Sequence, residues 1–130
     1  MRRQLEDNLQ IAAMGYLRLQ YPAALCFHVA NERQTSKMRG AKLKRMGVLA
    51  GVSDILIMQA RGAYFGACIE LKAPKGRETD SQKRFINRAG QAGYMVAVCW
   101  SFDQFKKVVD LYFSQPETKV EPTLLNTMPI

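Results

Sequence analysis

The stretch from Gly51 to Lys72 constrains this chain more than any other. Two apolar runs, Ile55-Leu56-Ile57-Met58 and Ala67-Cys68-Ile69, carry the residue types of buried strands. Arg61-Gly62-Ala63 between them supplies a turn, so the two runs predict an antiparallel hairpin. With the turn centred on Gly62, pairing outward sets Ile57 opposite Ala67 and Asp54 opposite Glu70. Directly opposed residues share a face, with Cβ atoms roughly 4.5–5.5 Å apart. Lys72, two positions beyond Glu70, points to that face as well. Two carboxylates and one ammonium thus converge at one end of a hairpin.

A chain of 130 residues fits one domain, and an apolar fraction of 48% is that of a globular protein. The hydrophobic pattern offers no run long enough to span a bilayer. Met1-Arg2-Arg3-Gln4 does not open a signal peptide, so a cytoplasmic location is expected. Cys26, Cys68 and Cys99 each sit inside an apolar run and read as reduced core thiols. No CxxC or His-rich pair suggests zinc.

The net charge of +8 is unevenly spread. Arg33, Lys37, Arg39, Lys42, Lys44 and Arg45 form a basic segment without an acidic residue. A second cluster, Lys75, Arg77, Lys83, Arg84 and Arg88, follows Lys72. A single such run is commonly a solvated surface. Two of them beside one carboxylate cluster point to a phosphate backbone as partner.

Around the hairpin, helical spacing of Leu5, Leu9, Ala12, Ala13, Tyr16 and Leu17 predicts a first helix over about 3–20, ending before Pro22. Glu6 lies on the border of its apolar stripe, where it is either solvent-exposed or turned towards a site. Leu25 to Val29 reads as a short strand. The basic segment after it predicts a loop or a short helix, with Gly40 and Gly47 as breakers. Gly51 lets the backbone there approach a ligand or another strand closely. A second helix runs over about 80–92, with Phe85, Ile86, Ala89 and Ala92 inward and Gln82 on the same side. Thr79-Asp80-Ser81-Gln82 also matches a capping box, so Gln82 reads as a cap or as a site residue. Tyr94 to Cys99 reads as a central strand covered on both faces. Ser101 caps a last helix bearing Phe102, Phe105, Val109, Tyr112 and Phe113. Residues 1–115 make one domain and 116–130 a tail or dimerisation arm. The expected fold is α/β, a mixed sheet of about four strands flanked by helices, in the order α-β-β-β-α-β-α. A helical crossover makes the third and fourth strands parallel.

Asp54, Glu70 and Lys72 form either a salt-bridged surface patch or a site. All three sit at the ends of apolar strands, where an unpaired charge is costly. Two adjacent carboxylates repel unless a cation joins them, and hard oxygen donors suit Mg²⁺ or Mn²⁺. A neighbouring lysine can then orient a water or stabilise charge on a phosphate.

As a pattern this is Asp, 15 residues, then Glu-x-Lys. On Gly51-Val52-Ser53-Asp54, Ile69-Glu70-Leu71-Lys72, Ser81-Gln82 and Gly93-Tyr94, the chain resembles the PD-(D/E)xK nuclease superfamily. Within it, the chain is most similar to stand-alone viral virus-type replication-repair nuclease (VRR-NUC) domains, over about residues 3–113. The resemblance implies metal-binding carboxylates at Asp54 and Glu70, a further ligand in the Leu71 carbonyl, a catalytic Lys72 and an orienting Gln82. It further implies Glu6 in or near the metal shell, and supporting positions at Asn31, Glu32 and Ser81, with His28 nearby as either a core residue or a supporting one. The proline of the family's name is Ser53 here. Compact viral members are similar to homodimeric Holliday-junction resolvases, which makes a dimer acting on branched DNA the leading expectation. The alternatives are a nickase or exonuclease on other DNA structures, and a non-catalytic DNA-binding module of the same fold.

Overall fold

The structure is a computed structural model of the chain and describes residues 1–30 and 37–125. Its elements run α1 (Arg2–Gln20), β1 (Cys26–His28), α2 (Lys37–Arg45), β2 (Ile55–Ile57), β3 (Ala67–Leu71), α3 (Asp80–Gln91), β4 (Met95–Cys99) and α4 (Phe102–Ser114). The four strands form one mixed sheet in the order β1-β2-β3-β4. β1 and β3 flank β2 antiparallel, while β4 pairs parallel to β3. The α/β class and the mixed four-stranded sheet are as expected from sequence.

The hairpin register also holds, with Ile57 opposite Ala67 and Ile55 opposite Ile69. The two-residue period then divides the sheet. Ile55, Ile57, Ala67, Ile69, Leu71 and Cys99 face α1 and α4 and form the core with Ala13, Met14, Leu17, Phe105, Val109, Tyr112 and Phe113. Asp54, Glu70 and Lys72 alternate with these and belong to the opposite face. Ser101 caps α4 by accepting from the Gln104 N–H at 3.1 Å.

Three expectations change. β4 is an edge strand, and the wholly buried central strand is β3. The apolar run of β4 reflects cover by helices α3 and α4 on its two faces, which a period argument cannot distinguish from a central position. The basic segment contains a real helix, α2, and Gly40 lies inside it. A glycine in a helix interior costs about 1 kcal/mol and does not by itself end the helix. Gly47 does end that region. With φ +99° it allows Val48 N–H to reach the Leu43 carbonyl and Gly47 N–H that of Lys44, both at 3.0 Å, a Schellman closure. On α1, the buried residues are Ala13, Met14 and Leu17, so the stripe is turned away from Leu5 and Ala12.

The segment after α4 begins by docking on the hairpin turn. Gly62 N–H donates to the Pro116 carbonyl at 2.8 Å, and Arg61 pairs with Glu117 at 3.5 Å. The three cysteines are unbridged, with Cys68 and Cys99 buried and Cys26 half-buried. No helix among the described residues is long and apolar enough to cross a membrane.

Candidate active site

The hairpin brings Asp54 and Glu70 together beside Lys72, and it does so in the interior. Glu70 is 2% exposed and Lys72 8%. Among the described residues no ion pair joins Lys72 to Asp54 or Glu70. A solvated salt-bridge patch is therefore the wrong description.

Each side chain is placed by a neighbouring element. Asp54 is held at its backbone by β1: Val29 N–H and His28 Nδ1–H both donate to its carbonyl, at 2.9 and 2.7 Å. Its Oδ2 accepts the Leu71 N–H at 2.7 Å, which lays the Leu71 peptide against the carboxylate. His28 is exposed, so it is no core residue.

Gln82 answers both readings made of it. Its Oε1 accepts the Thr79 N–H at 2.8 Å and its backbone N–H donates to Thr79 Oγ1 at 3.2 Å, which completes the capping box. Because the cap uses the amide oxygen, the amide nitrogen is left to face the sheet, where it donates to Glu70 Oε1 at 3.1 Å. One side chain thereby ties the start of α3 to the carboxylate. Gly51 makes this approach possible. It has φ +85°, and a Cβ there would overlap the Ser81 carbonyl and come within 2.7 Å of the Gln82 nitrogen. Ser81 Oγ meets Thr79 Oγ1 at 3.1 Å in the same turn.

Glu6 reaches the site from the other side of the sheet, its Oε1 accepting the Ala73 N–H at 3.3 Å just beyond Lys72. Burial pushes the Glu70 carboxyl well above the usual carboxylate range; contact with Asp54 and the Asp54 charge add to this, and Glu6 adds a little more. Lys72 pulls it the other way.

Glu70 Oε2 is buried and has no hydrogen-bond partner. Such an orphan is expensive to keep unless something is meant to occupy its lone pairs. Among the described residues no three His, Cys, Asp or Glu side chains converge tightly enough to enclose a metal by themselves. A pair of carboxylates beside a backbone carbonyl nevertheless fits Mg²⁺ or Mn²⁺, since Mg²⁺ keeps several waters and takes only one or two protein carboxylates.

An open groove of about 1240 Å³ runs over the cluster. Glu6, His28, Asp54, Glu70, Leu71, Lys72, Ser81 and Gln82 all line it, as do four basic residues: Arg39 and Lys44 from α2, Arg84 and Arg88 from α3. Lys37, Lys42, Arg45, Lys75, Arg77 and Lys83 lie off its lining. Asn31, Glu32 and Arg33 fall outside the described residues. Gln10 also lines the groove, with both amide atoms buried and unpartnered, although the sequence pattern does not single it out. The signal for it is its position one turn after Glu6, on the row that continues to Ala13 and Leu17.

The virus-type replication-repair nuclease family model, described as VRR-NUC domain, matches residues 6–103. The chain belongs to the VRR-NUC family. A solved structure described as "VRR_NUC domain protein" is similar to it with a TM-score of 0.72 and 29% sequence identity, over 87% of this chain and 91% of that one. No curated protein matches the chain in sequence. Membership makes this a nuclease-type domain with DNA as the implied substrate, and the matched segment contains every element that builds the site.

Proposed function

We propose that this VRR-NUC domain is a divalent-metal-dependent, structure-selective endonuclease that hydrolyses phosphodiester bonds in branched DNA and resolves four-way junctions as a homodimer. The observation that carries the reading is the orphaned, buried Oε2 of Glu70 beside the Asp54 carboxylate. Asp54, Glu70 and the Leu71 carbonyl would hold Mg²⁺ or Mn²⁺. When bound, the ion supplies Lewis-acid polarisation of the phosphate and a more acidic water.

The chain's own groups do the rest. Gln82 occupies Glu70 Oε1 and so leaves Oε2 for the ion. Lys72, with its head on the same face, orients the attacking water or takes its proton, and afterwards faces the negative charge that gathers on the phosphate. Glu6, tied to the Ala73 N–H, adds negative charge beside the pair and favours a cation there. Arg39, Lys44, Arg84 and Arg88 would track the DNA backbone along the groove, and the remaining basic residues of both clusters would add to the attraction.

Two symmetric sites can make paired cuts, which is the geometric demand of a four-way junction. In support, α1 presents an outward row of Ile11, Gly15 and Leu19, with Ile11 71% and Leu19 82% exposed and open space over Gly15. The arm beyond 116 adds the exposed Leu124 and Leu125.

The test is a substrate panel of a four-way junction, a flap, a duplex and a single strand, with Mg²⁺ and with Mn²⁺, run against a Glu70→Ala control. Symmetric nicking of the junction, absent in the control, is the expected result. Cleavage retained by the control would sink the site assignment. A preference for another substrate would move the reading to a nickase or exonuclease, and binding without cleavage would leave a DNA-binding module.

A further inference from the structure

The sequence holds one tryptophan, Trp100, which no part of the motif includes and which lies off the groove lining. β4 pairs in parallel with β3, with Val98 opposite Glu70 and Cys99 opposite Leu71. The Lys72 N–H donates to the Cys99 carbonyl at 2.9 Å, carrying the pairing one residue further. By the two-residue period Trp100 follows Val98 on the face of Glu70 and Lys72.

Both hydrogen-bond donors of Trp100 are used inside the protein. Its backbone N–H donates to Gln104 Oε1 and its indole Nε1–H to the Gly76 carbonyl, each at 2.7 Å. Yet the residue is 36% exposed. It is thus an anchored aromatic residue, partly open to solvent, with no unmet hydrogen-bond donor.

The turn that the indole grips carries a second observation. Gly76 N–H closes on the Ala73 carbonyl at 2.8 Å, with Pro74 and Lys75 between, and Lys75 has φ +66°. This is the pattern of a type II turn, whose third position favours glycine. A lysine held there is strained, and such strain persists only where the surroundings impose it. Lys75 is exposed, as is Arg77, so the gripped Gly76 has a basic residue on each side of it in the chain.

We propose that Trp100 is a stacking platform for an unpaired nucleobase of the DNA substrate, with Lys75 taking the adjoining phosphate. Bases inside a duplex have both faces covered, whereas a base at a branch point, a frayed end or a single strand presents one. The inference rests on DNA being the substrate of the groove and deepens that reading, because it gives the domain a means of favouring DNA with unpaired nucleotides. Removing an aromatic platform of this kind typically weakens single-strand binding by roughly tenfold.

Trp100 is the chain's only tryptophan, so emission under tryptophan-selective excitation, which spares the five tyrosines, reports on this position alone. The whole chain is titrated in chelator with a thymidine oligonucleotide and with an abasic strand of equal length and charge. Saturable quenching by the first, with affinity roughly tenfold above the second, is expected. Read by the anisotropy of the labelled strands, Trp100→Leu should erase that difference and Trp100→Phe should keep most of it. Lys75→Gly should raise the melting temperature while weakening both strands alike, a combination that a purely structural lysine would not produce. Equal quenching and affinity for the two strands would overturn the proposal, as would a Trp100→Leu variant that keeps the preference. The titration of the unaltered chain decides the matter even if the leucine variant does not fold. Cleavage of a junction without base-dependent quenching would remove the platform and leave the nuclease reading, while quenching without cleavage in Mg²⁺ would do the reverse.

Discussion

Asp110 on α4 and Glu70 on β3 are both tied to tertiary partners, yet their surroundings treat them in opposite ways. Asp110 accepts from the hydroxyls of Tyr16 and Tyr21, each at 2.6 Å, and from Lys106 at 3.1 Å. Those donors hold its carboxyl below the usual carboxylate range, the Tyr16 bond foremost and then that of Tyr21. Burial, with Asp110 second, pushes the Tyr21 hydroxyl far upward. The result is a closed knot joining α1 to α4, reinforced by the edge-on Tyr16–Tyr21 and stacked Tyr21–Phe113 rings. Glu70 is buried with one oxygen bonded and one bare, next to another carboxylate. A charge supplied with every donor it needs joins parts of the fold. A buried carboxyl left short of donors is instead pushed towards its protonated form.

The largest effect should come from breaking the second arrangement. Glu70→Ala and Lys72→Ala are each expected to lower metal-dependent cleavage at least roughly a hundredfold while the circular dichroism spectrum stays native. Asp110→Asn should leave the cleavage rate of the folded protein unaltered. Equal losses in the two regions would erase the contrast.

Next comes Gly51→Ala, which strains a left-handed residue and drives a methyl group into the Ser81 carbonyl. A loss of about 2 kcal/mol or more in chemical denaturation is expected. The displaced start of α3 would also carry Gln82 away from Glu70, so cleavage should fall further than stability explains.

Asp110→Asn itself should cost less, up to about 1 kcal/mol, because the Asp110 side chain is 35% exposed. The sign with pH follows from its lowered value. The stabilisation is present above the carboxyl's unfolded pKa and is lost as pH falls through the folded one. Denaturation midpoints of parent and variant should therefore converge in acid.

Glu70 gives the opposite slope. With its pKa raised in the folded state, the chain in chelator binds more protons folded than unfolded, so stability should decline as pH climbs above the ordinary carboxylate range. Glu70→Gln should flatten that decline, and added Mg²⁺ should offset it in the parent only. A parent whose pH profile matches that of Glu70→Gln would show that the carboxyl is not perturbed.

The smallest effect should be electrostatic. Replacing Lys44, which lines the groove, should reduce the salt dependence of DNA binding by about 0.9 for each phosphate that the variant no longer neutralises. A slope that does not move would place the backbone elsewhere.

Much of this site was legible along the chain. Counting outward from Gly62 sets Asp54 opposite Glu70, and β2 and β3 keep that register although the turn itself closes between Arg61 and Tyr64, one residue out of step. The capping box of Thr79 and Gln82 was equally local. Other parts were not. Gln10 reads as an ordinary helix glutamine until α1 is packed, and Trp100 carries no signal of its own until its indole is seen to grip the Gly76 carbonyl. The edge position of β4 was hidden because apolarity records covered faces and is silent about which strand lies alongside.

By itself, then, the sequence determined the four strands, the helices other than α2, the hairpin register and the identity of the charged trio, because these depend on residue type and short spacing. Only the tertiary structure decided how those charges stand. It shows that Glu70 is buried with an oxygen to spare, that Gln82 serves cap and carboxylate at once, and that Glu6 reaches Ala73 around the sheet. The physical reason is that solvation and hydrogen-bond satisfaction belong to the assembled surroundings of a group. Residues far apart in the chain supply those surroundings, and no local pattern encodes them.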